Sequence, residues 1–196
     1  MKRKVNIAVF VSGNGTNCEN LIRYFEGSEL ATVVLVVSNK ADAFALERAR
    51  RLGVPTAVAV KADLNNQQFM MTLLQQFSVD FIVLAGFLPL VPSFLVEAFP
   101  RRIVNIHPSL LPKYGGKGMW GHHVPEAVKA AGEQETGVTI HFVSDVCDGG
   151  DIIAQFHTSL SPDDSVDEIA EKVHSLEMKH FPVVVARVLK ELNDLL

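Results

Sequence analysis

The segment "VFVSGNGTNCENL" (residues 9–21) decides the fold class, because an apolar run leads through a glycine-containing loop into a helical pattern. The apolar run indicates a buried strand, and the glycines at positions 13 and 15 allow the backbone to turn tightly. Backbone N–H groups at the start of the following helix lack partners and attract anions. The segment predicts a strand–loop–helix unit with a phosphate site, although a tight turn that binds nothing fits the loop equally well.

Outward from this unit, apolar runs alternate with helical patterns through the first half of the chain. Strands are predicted at residues 5–11, 31–37, 56–60, 81–85 and 102–107, and helices at residues 17–25, 43–52, 67–77 and 94–99. We expect Asp63 to be the N-cap of the third helix. Strands that alternate with helices indicate a mostly parallel sheet covered on both faces.

In the second half of the chain, the regular alternation of strands and helices ends. Residues 114–121 ("YGGKGMWG") contain four glycines and predict a loop, and a helix is expected at residues 126–131. Two strands, 138–143 and 151–160, are joined by "SDVCDGG" and predict an antiparallel hairpin. A closing helix begins with capping-box spacing between Ser165 and Glu168, and Pro182 should kink or split it. We therefore predict a single α/β domain over residues 1–196: a Rossmann-like open, mostly parallel sheet with helices on both faces and an antiparallel C-terminal part.

Composition narrows the possible functions. The chain has 196 residues, a net charge of −4 and 48% hydrophobic residues. No apolar stretch approaches the ~20 residues of a membrane span, and no basic block suggests a nucleic-acid surface. The two cysteines show no metal or redox spacing, which fits a reducing compartment. We expect a cytoplasmic protein that uses neither nucleic acid nor membrane as a partner and holds no metal.

Elimination limits the ligand of the opening loop. A dinucleotide fingerprint would continue to a third glycine where Cys18 stands, and it would place an acid near Ser38 and Asn39. An ATP-type G-x-x-x-x-G-K-[ST] motif does not occur in the sequence. A smaller phosphorylated ligand, such as a phosphate monoester, remains.

The stretch "VNIHPSLLP" (residues 104–112) carries the most chemical information. Asn105 and His107 stand two apart on a strand, so their side chains leave the same face, and Pro108 ends the strand at its carboxyl edge. Asn105 is suited to hydrogen-bond a developing oxyanion, and His107 to move a proton near neutral pH. A pair at a strand end also fits the alternative that both side chains satisfy backbone groups.

The turn "DVCDGGD" offers a third partner. Asp148 precedes two glycines in a turn that is able to bring its carboxylate toward a neighbouring strand end. A carboxylate near His107 would fix the orientation of the imidazole. Asp-Gly is also among the commonest turn dipeptides, so ordinary turn chemistry is the alternative.

Other polar residues give weaker signals. His141 either faces the site or is a hydrogen-bonded core residue, and the second interpretation is slightly favoured. Glu177 and His180 have the spacing of half a metal motif, but a solvated helix face explains them better. Cys18 and Cys147 have no evident base in sequence, which favours small buried thiols.

Taken together, "SGNGTN", "NIHPSLLPKY" and "GVTIHFVSDVCDGGDIIAQ" resemble the phosphoribosylglycinamide formyltransferases. These are folate-dependent enzymes of purine biosynthesis within the formyltransferase superfamily. The resemblance extends over nearly the whole chain. The opening loop is similar to the one that wraps a phosphate monoester in this family, which agrees with the elimination above.

The resemblance implies a set of site residues. The catalytic set would be Asn105, His107 and Asp148. The ribonucleotide would be bound by Gly15, Thr16, Asn17 and Glu177. The co-substrate 10-formyltetrahydrofolate would be flanked by Leu88, Pro89, Leu90 and Val91, by Asn105, and by Ser144, Asp145, Val146, Cys147 and Asp148. The expected partners are small-molecule substrates, in a monomer or homodimer. The apolar "LPLV" at 88–91 departs from the family, whose members often carry a basic residue there.

Overall fold

The computed structural model describes residues 3–195. Its elements in chain order are β1 (Val5–Val11), α1 (Thr16–Phe25), β2 (Ala31–Ser38), α2 (Phe44–Arg51), β3 (Thr56–Val58), α3 (Lys61–Leu64), α4 (Gln67–Gln76), β4 (Phe81–Leu84), α5 (Ser93–Ala98), β5 (Ile103–His107), α6 (His123–Ala130), β6 (Glu135–Phe142), β7 (Ile152–Ser159) and α7 (Val166–Leu195).

The strands form one seven-stranded sheet in the order β3-β2-β1-β4-β5-β6-β7. The first five strands in this order are parallel, whereas β6 pairs antiparallel with β5 and with β7. The sheet confirms the predicted fold class. The strand order reverses beside β1, so ligands are expected beyond the carboxyl ends of β1, β4 and β5.

Apolar side chains fill both faces of the sheet, as the β-branched strand sequences predict. In β1, Val9 and Val11 pack into a cluster with α1, α2 and α7, while Ala8 and Phe10 pack into a second cluster with α3, α4 and α5. Successive side chains of a strand point to opposite faces, so the five parallel strands contribute to both clusters, whereas β6 and β7 contribute to the first. The core holds the carboxyl ends of the central strands in fixed positions.

The expected N-cap at Asp63 is wrong. Asp63 lies within α3, where its carboxylate accepts a hydrogen bond from Val60 N–H at 3.1 Å. The cap of α4 is Asn66, whose side chain accepts from Phe69 N–H at 3.1 Å. The N-cap of α4 is therefore the residue directly before this helix. The apolar pattern of the sequence does not indicate the short helix α3 that precedes it.

Helix α7 begins as predicted and runs as one helix past Pro182. Glu168 N–H donates to Ser165 Oγ at 3.2 Å, and Ser165 N–H donates to Glu168 Oε2 at 2.7 Å, which completes the capping box. Pro182 does not split the helix. Phe181 and Val185 are fully buried beside it, and this packing holds the segment helical. No helix within residues 3–195 is both long and apolar enough to cross a membrane.

Candidate active site

A cleft of about 710 Å³ opens at the carboxyl edge of the central strands. Its walls come from the loops after β1, β4 and β5, from residues 116–121, and from one face of α7. The lining includes Gly13, Gly15, Thr16, Asn17, Leu88, Leu90, Asn105, His107, Trp120, Cys147, Asp148, His174 and Glu177. Its size is typical of a site for small organic ligands.

One end of the cleft is the glycine loop, residues 12–15, followed by the first turn of α1. Gly15 has φ +80°, and a Cβ at this position would lie 2.3 Å from Ala45 Cβ, so both conformation and space require glycine. The first N–H groups of α1 lack intrahelical partners and face this end. This geometry is compatible with the phosphate site that the sequence predicts.

Three polar side chains form a cluster beside the start of α1. Asn17 Nδ2 donates to Glu177 Oε2 at 2.8 Å, and His174 Nδ1 lies 3.2 Å from the same oxygen. The hydrogen bond with Glu177 raises the pKa of His174 despite partial burial. Among the described residues, Asn17 Oδ1 is the buried side-chain oxygen that has no hydrogen-bond partner. It is an acceptor suited to a ligand.

Strand β5 carries Asn105 and His107 on one face, as period 2 predicts. Val104 and Ile106 point to the opposite face and belong to the core. The antiparallel register places His141 of β6 directly opposite Asn105. Asn105 Nδ2 donates to His141 Nε2 at 3.1 Å, and the other ring nitrogen of His141 lies 2.8 Å from the Phe142 carbonyl oxygen. The amide of Asn105 is thereby held in one orientation.

His107 is buried, and both of its ring nitrogens have neighbours. Nε2 lies 2.7 Å from the Tyr114 carbonyl oxygen, which can only accept, so Nε2 carries a proton. Nδ1 faces Asp148 Oδ2 at 3.6 Å. The Tyr114 hydroxyl donates to Glu133 Oε1 at 2.9 Å, which anchors the backbone segment that orients the imidazole. Nδ1 is therefore the ring nitrogen on the reactive side.

The Asp148 carboxylate lies between two imidazoles. Its Oδ1 is 3.7 Å from His141 Nε2, and its Oδ2 accepts from Gly116 N–H at 2.8 Å. Burial alone would raise the pKa of Asp148, but His141, the Gly116 N–H and His107 together outweigh it and lower this pKa to about 2. Asp148 is ionised at neutral pH.

The connection that carries Asp148, residues 143–151, starts at the opposite edge of the sheet. Val143 N–H donates to the Ile103 carbonyl at the beginning of β5, so the chain must fold back along the sheet face to reach His107. A Cβ on Gly150 would lie 1.8 Å from the Phe142 carbonyl oxygen, so Gly150 is required for the tight return. Asp148 itself has φ +53°.

The predicted folate segments only partly reach the cleft. Leu88 and Leu90 line it, as do Cys147 and Asp148, whereas Pro89, Val91, Ser144, Asp145 and Val146 do not line it. Leu88 N–H donates to Ser12 Oγ at 2.9 Å, and Ser12 Oγ donates to Asn39 Oδ1 at 2.6 Å. These bonds tie the segment after β4 to the glycine loop.

Several assignments from sequence need correction. Cys18 is a buried thiol as expected, with burial, aided by Glu19, raising its pKa to about 12, but Cys147 is exposed. His141 is buried, yet it contacts the candidate site rather than serving the core alone. Sequence reasoning also missed His174, whose place in the cleft depends on how α7 packs. His180 stacks on Phe156 and does not join Glu177 at a common site.

Comparison with known proteins gives consistent results. Residues 5–185 match the family model described as formyl transferase. Three phosphoribosylglycinamide formyltransferases are similar in sequence. The Arabidopsis thaliana chloroplastic protein is 41% identical over 96% of this chain and 67% of its own length. The Haemophilus influenzae protein is 36% identical over 91% and 84%, and the Escherichia coli protein is 35% identical over 93% and 86%.

Solved structures agree in fold as well as sequence. The crystal structure of phosphoribosylglycinamide formyltransferase from Anaplasma phagocytophilum superimposes with a TM-score of 0.87 at 31% identity. It covers 96% of this chain and 88% of the other. That of glycinamide ribonucleotide transformylase 1 from Symbiobacterium toebii also has a TM-score of 0.87, at 32% identity over 97% and 90%. The chain therefore belongs to the formyl transferase family, among the phosphoribosylglycinamide formyltransferases.

Proposed function

We propose that the protein transfers the formyl group of 10-formyltetrahydrofolate to the amine of 5′-phosphoribosylglycinamide. The observation that carries this proposal is one cleft with two kinds of lining. One end is a glycine loop at a helix N-terminus, suited to a phosphate, and the remaining lining includes exposed apolar side chains such as Leu90 and Trp120. Asn105, His107 and Asp148 lie along the wall of the same cleft.

At the first end, the phosphate of the ribonucleotide is bound by the backbone N–H groups of Gly15, Thr16 and Asn17. Glu177 and the unpartnered Oδ1 of Asn17 accept hydrogen bonds from its sugar or amine. These contacts place the glycinamide amine toward β5. The apolar lining takes the pterin of the folate, whose polar edge is bound largely by backbone groups at Leu88 and Leu90 and at Cys147 and Asp148, the members of the two predicted segments that line the cleft.

The transfer is direct. The lone pair of the glycinamide amine attacks the formyl carbon, and the carbonyl electrons move onto the formyl oxygen. Asn105 donates one amide hydrogen to this oxyanion while its other amide hydrogen bonds His141. The protonated Nδ1 edge of His107 supplies the second donor.

Collapse of the tetrahedral intermediate breaks the bond between the formyl carbon and N10 of the folate. A proton leaves the attacking amine and reaches N10 through a water held by the Asp148 carboxylate. Alignment of two bound substrates can remove up to about 7–11 kcal/mol of barrier. The formyl group passes between substrates without a covalent enzyme intermediate.

A single assay tests the proposal. Purified protein is mixed with 10-formyltetrahydrofolate, and deformylation is followed optically with and without 5′-phosphoribosylglycinamide. We expect a rate that requires the ribonucleotide, together with formylated product. Equal rates in both samples with release of formate would instead indicate 10-formyltetrahydrofolate hydrolysis, and binding without turnover would indicate a non-catalytic protein.

A further inference from the structure

Helix α2 forms the wall behind the glycine loop. Ala45 N–H donates to the Gly13 carbonyl at 3.1 Å. The approach of Gly15 to Ala45 leaves no room for a Cβ. The loop is therefore shaped from behind by α2 as well as by its own sequence.

One side chain of α2, Arg48, holds the loop through three donors. Nε donates to the Asn14 carbonyl at 2.9 Å, and Nη2 donates to Asn14 Oδ1 at 3.1 Å. Nη1 donates to Glu19 Oε2 at 2.6 Å. The planar guanidinium thus fixes the main chain and side chain of Asn14 relative to the first turn of α1.

Packing fixes the guanidinium itself. The side chain of Arg48 is 24% exposed, and its guanidinium lies 4.8 Å from the centre of the Phe44 ring. A guanidinium over an aromatic face loses little further freedom when it forms its hydrogen bonds. Arg48 is held in place before any ligand arrives.

The same guanidinium compensates a charge at the phosphate end. Glu19 lies in the first turn of α1, where a carboxylate competes with any second anion for the helix N-terminus. Hydrogen bonds from Arg48 and Arg23 lower the pKa of Glu19, so the carboxylate is ionised at neutral pH. Without these partners, its charge would oppose a bound phosphate.

We propose that Arg48 is a positioning residue for the phosphate of the ribonucleotide: it holds the glycine loop in its binding conformation and cancels the charge of Glu19. This inference rests on the proposed function, because it assigns a phosphate monoester to this end of the cleft. Arg48 acts from behind the loop, through Asn14 and Glu19.

The test compares Arg48→Met with Arg51→Met. Arg51 is a matched control because it lies on the same helix, also over Phe44, and pairs with Glu47 on the exposed face. In Arg48→Met, we expect KM for the ribonucleotide to rise about tenfold, the effect of one lost charge-assisted hydrogen bond. KM for 10-formyltetrahydrofolate and kcat at saturation should stay unchanged. Arg51→Met should match wild type in all three constants.

Two further variants separate geometry from charge. Arg48→Lys keeps the positive charge but loses the planar fork, so its KM should lie between those of wild type and Arg48→Met. Adding Glu19→Gln to Arg48→Met removes the repulsion between the carboxylate and the phosphate but leaves the glycine loop without its anchor. The KM of this double variant for the ribonucleotide should therefore lie between those of wild type and Arg48→Met. Arg48→Lys also keeps the inference testable if Arg48→Met does not fold.

Calorimetric binding of ribose 5-phosphate distinguishes failure of this inference from failure of the proposed function. We expect Arg48→Met to weaken this binding by the same factor as it raises KM. Lower thermal stability with unchanged affinity would overturn the inference and leave the proposed function standing. If the wild-type protein binds ribose 5-phosphate but shows no transfer that depends on the ribonucleotide, the proposed function is wrong. The affinities of wild type and Arg48→Met for ribose 5-phosphate would still decide the role of Arg48. A wild-type protein that does not bind ribose 5-phosphate would overturn the inference.

Discussion

Asp148 occupies the position on which the proposed chemistry depends most, because its carboxylate neighbours both His107 and His141. Replacing it with asparagine preserves the shape but removes the charge that attracts both imidazoles. We expect Asp148→Asn to fold and to lose activity by about 10²–10⁴-fold, the range typical of proton-transfer groups. The measurement is kcat with both substrates saturating.

Asp151→Asn is the control for this substitution. Asp151 lies in the same connection, is exposed and pairs with Arg101 away from the cleft. Its variant should match wild-type turnover. Near-native turnover of Asp148→Asn would remove Asp148 from the mechanism.

Gly15 lies where the glycine loop approaches α2 most closely. Its positive φ and the 2.3 Å approach to Ala45 exclude any side chain. We expect Gly15→Ala to raise KM for the ribonucleotide far more than it changes kcat, because the loop must shift away from the phosphate. Gly13→Ala, where a Cβ meets no atom within 4 Å, should have the smaller effect. Equal effects from the two substitutions would contradict the steric argument.

Individual residues differ in how far the sequence revealed them. Asn105 and His107 could be predicted to lie together because strand periodicity alone determines it. The contact of His141 with Asn105 could not, because it depends on the antiparallel register between β5 and β6. The same limit explains His174, which enters the cleft only through the packing of α7.

At the scale of elements, the capping box of α7 makes a direct prediction. Ser165 and Glu168 satisfy each other's backbone N–H groups. Replacing a serine N-cap with alanine costs about 1 kcal/mol. We expect Ser165→Ala to lower the free energy of unfolding by about this amount in urea titrations, without loss of activity.

Ser175→Ala provides the comparison on the same helix. Ser175 is exposed, and its hydroxyl donates to the Glu171 carbonyl inside the helix. Its substitution should change the free energy of unfolding by less than about 0.5 kcal/mol. A larger loss than that of Ser165→Ala would show that the cap is not the stabilising feature.

The elements could be predicted well where their pattern was strong. Strand β1 has the predicted bounds, because a β-branched apolar run between polar residues leaves little choice. The start of α4 at Gln67 agrees with the prediction, but its N-cap is Asn66 and not Asp63, because Asp63 belongs to a separate short helix that only the structure shows. Helix α7 continued through Pro182 because buried neighbours on both sides outweigh the lost hydrogen bond.

At the scale of the whole molecule, the ion cluster around Asp148 affects stability to acid. The pKa of Asp148 falls from 3.8 to about 2 on folding. A lowered pKa stabilises the folded state above pH 3.8, and this contribution is lost as the pH falls toward 2. The shift corresponds to about 2 kcal/mol.

We expect the difference in unfolding free energy between wild type and Asp148→Asn to shrink by about this amount between pH 5 and pH 2. Urea unfolding of both proteins across this range measures it. Taking the difference cancels the other carboxyl groups, which titrate in both proteins. A difference that stays constant with pH would contradict the assigned ion cluster.

The folded-back connection at residues 143–151 has a consequence for how this protein tolerates genetic change. Surface loops normally accept insertions and deletions, since their ends stay fixed while their middle varies. Here the middle carries Asp148, and its distance from His107 is set by the number of residues between two sheet strands. One codon added or removed would leave the sheet intact and move the carboxylate out of reach. We therefore expect the number of residues between β6 and β7 to be conserved among relatives as strictly as any side chain.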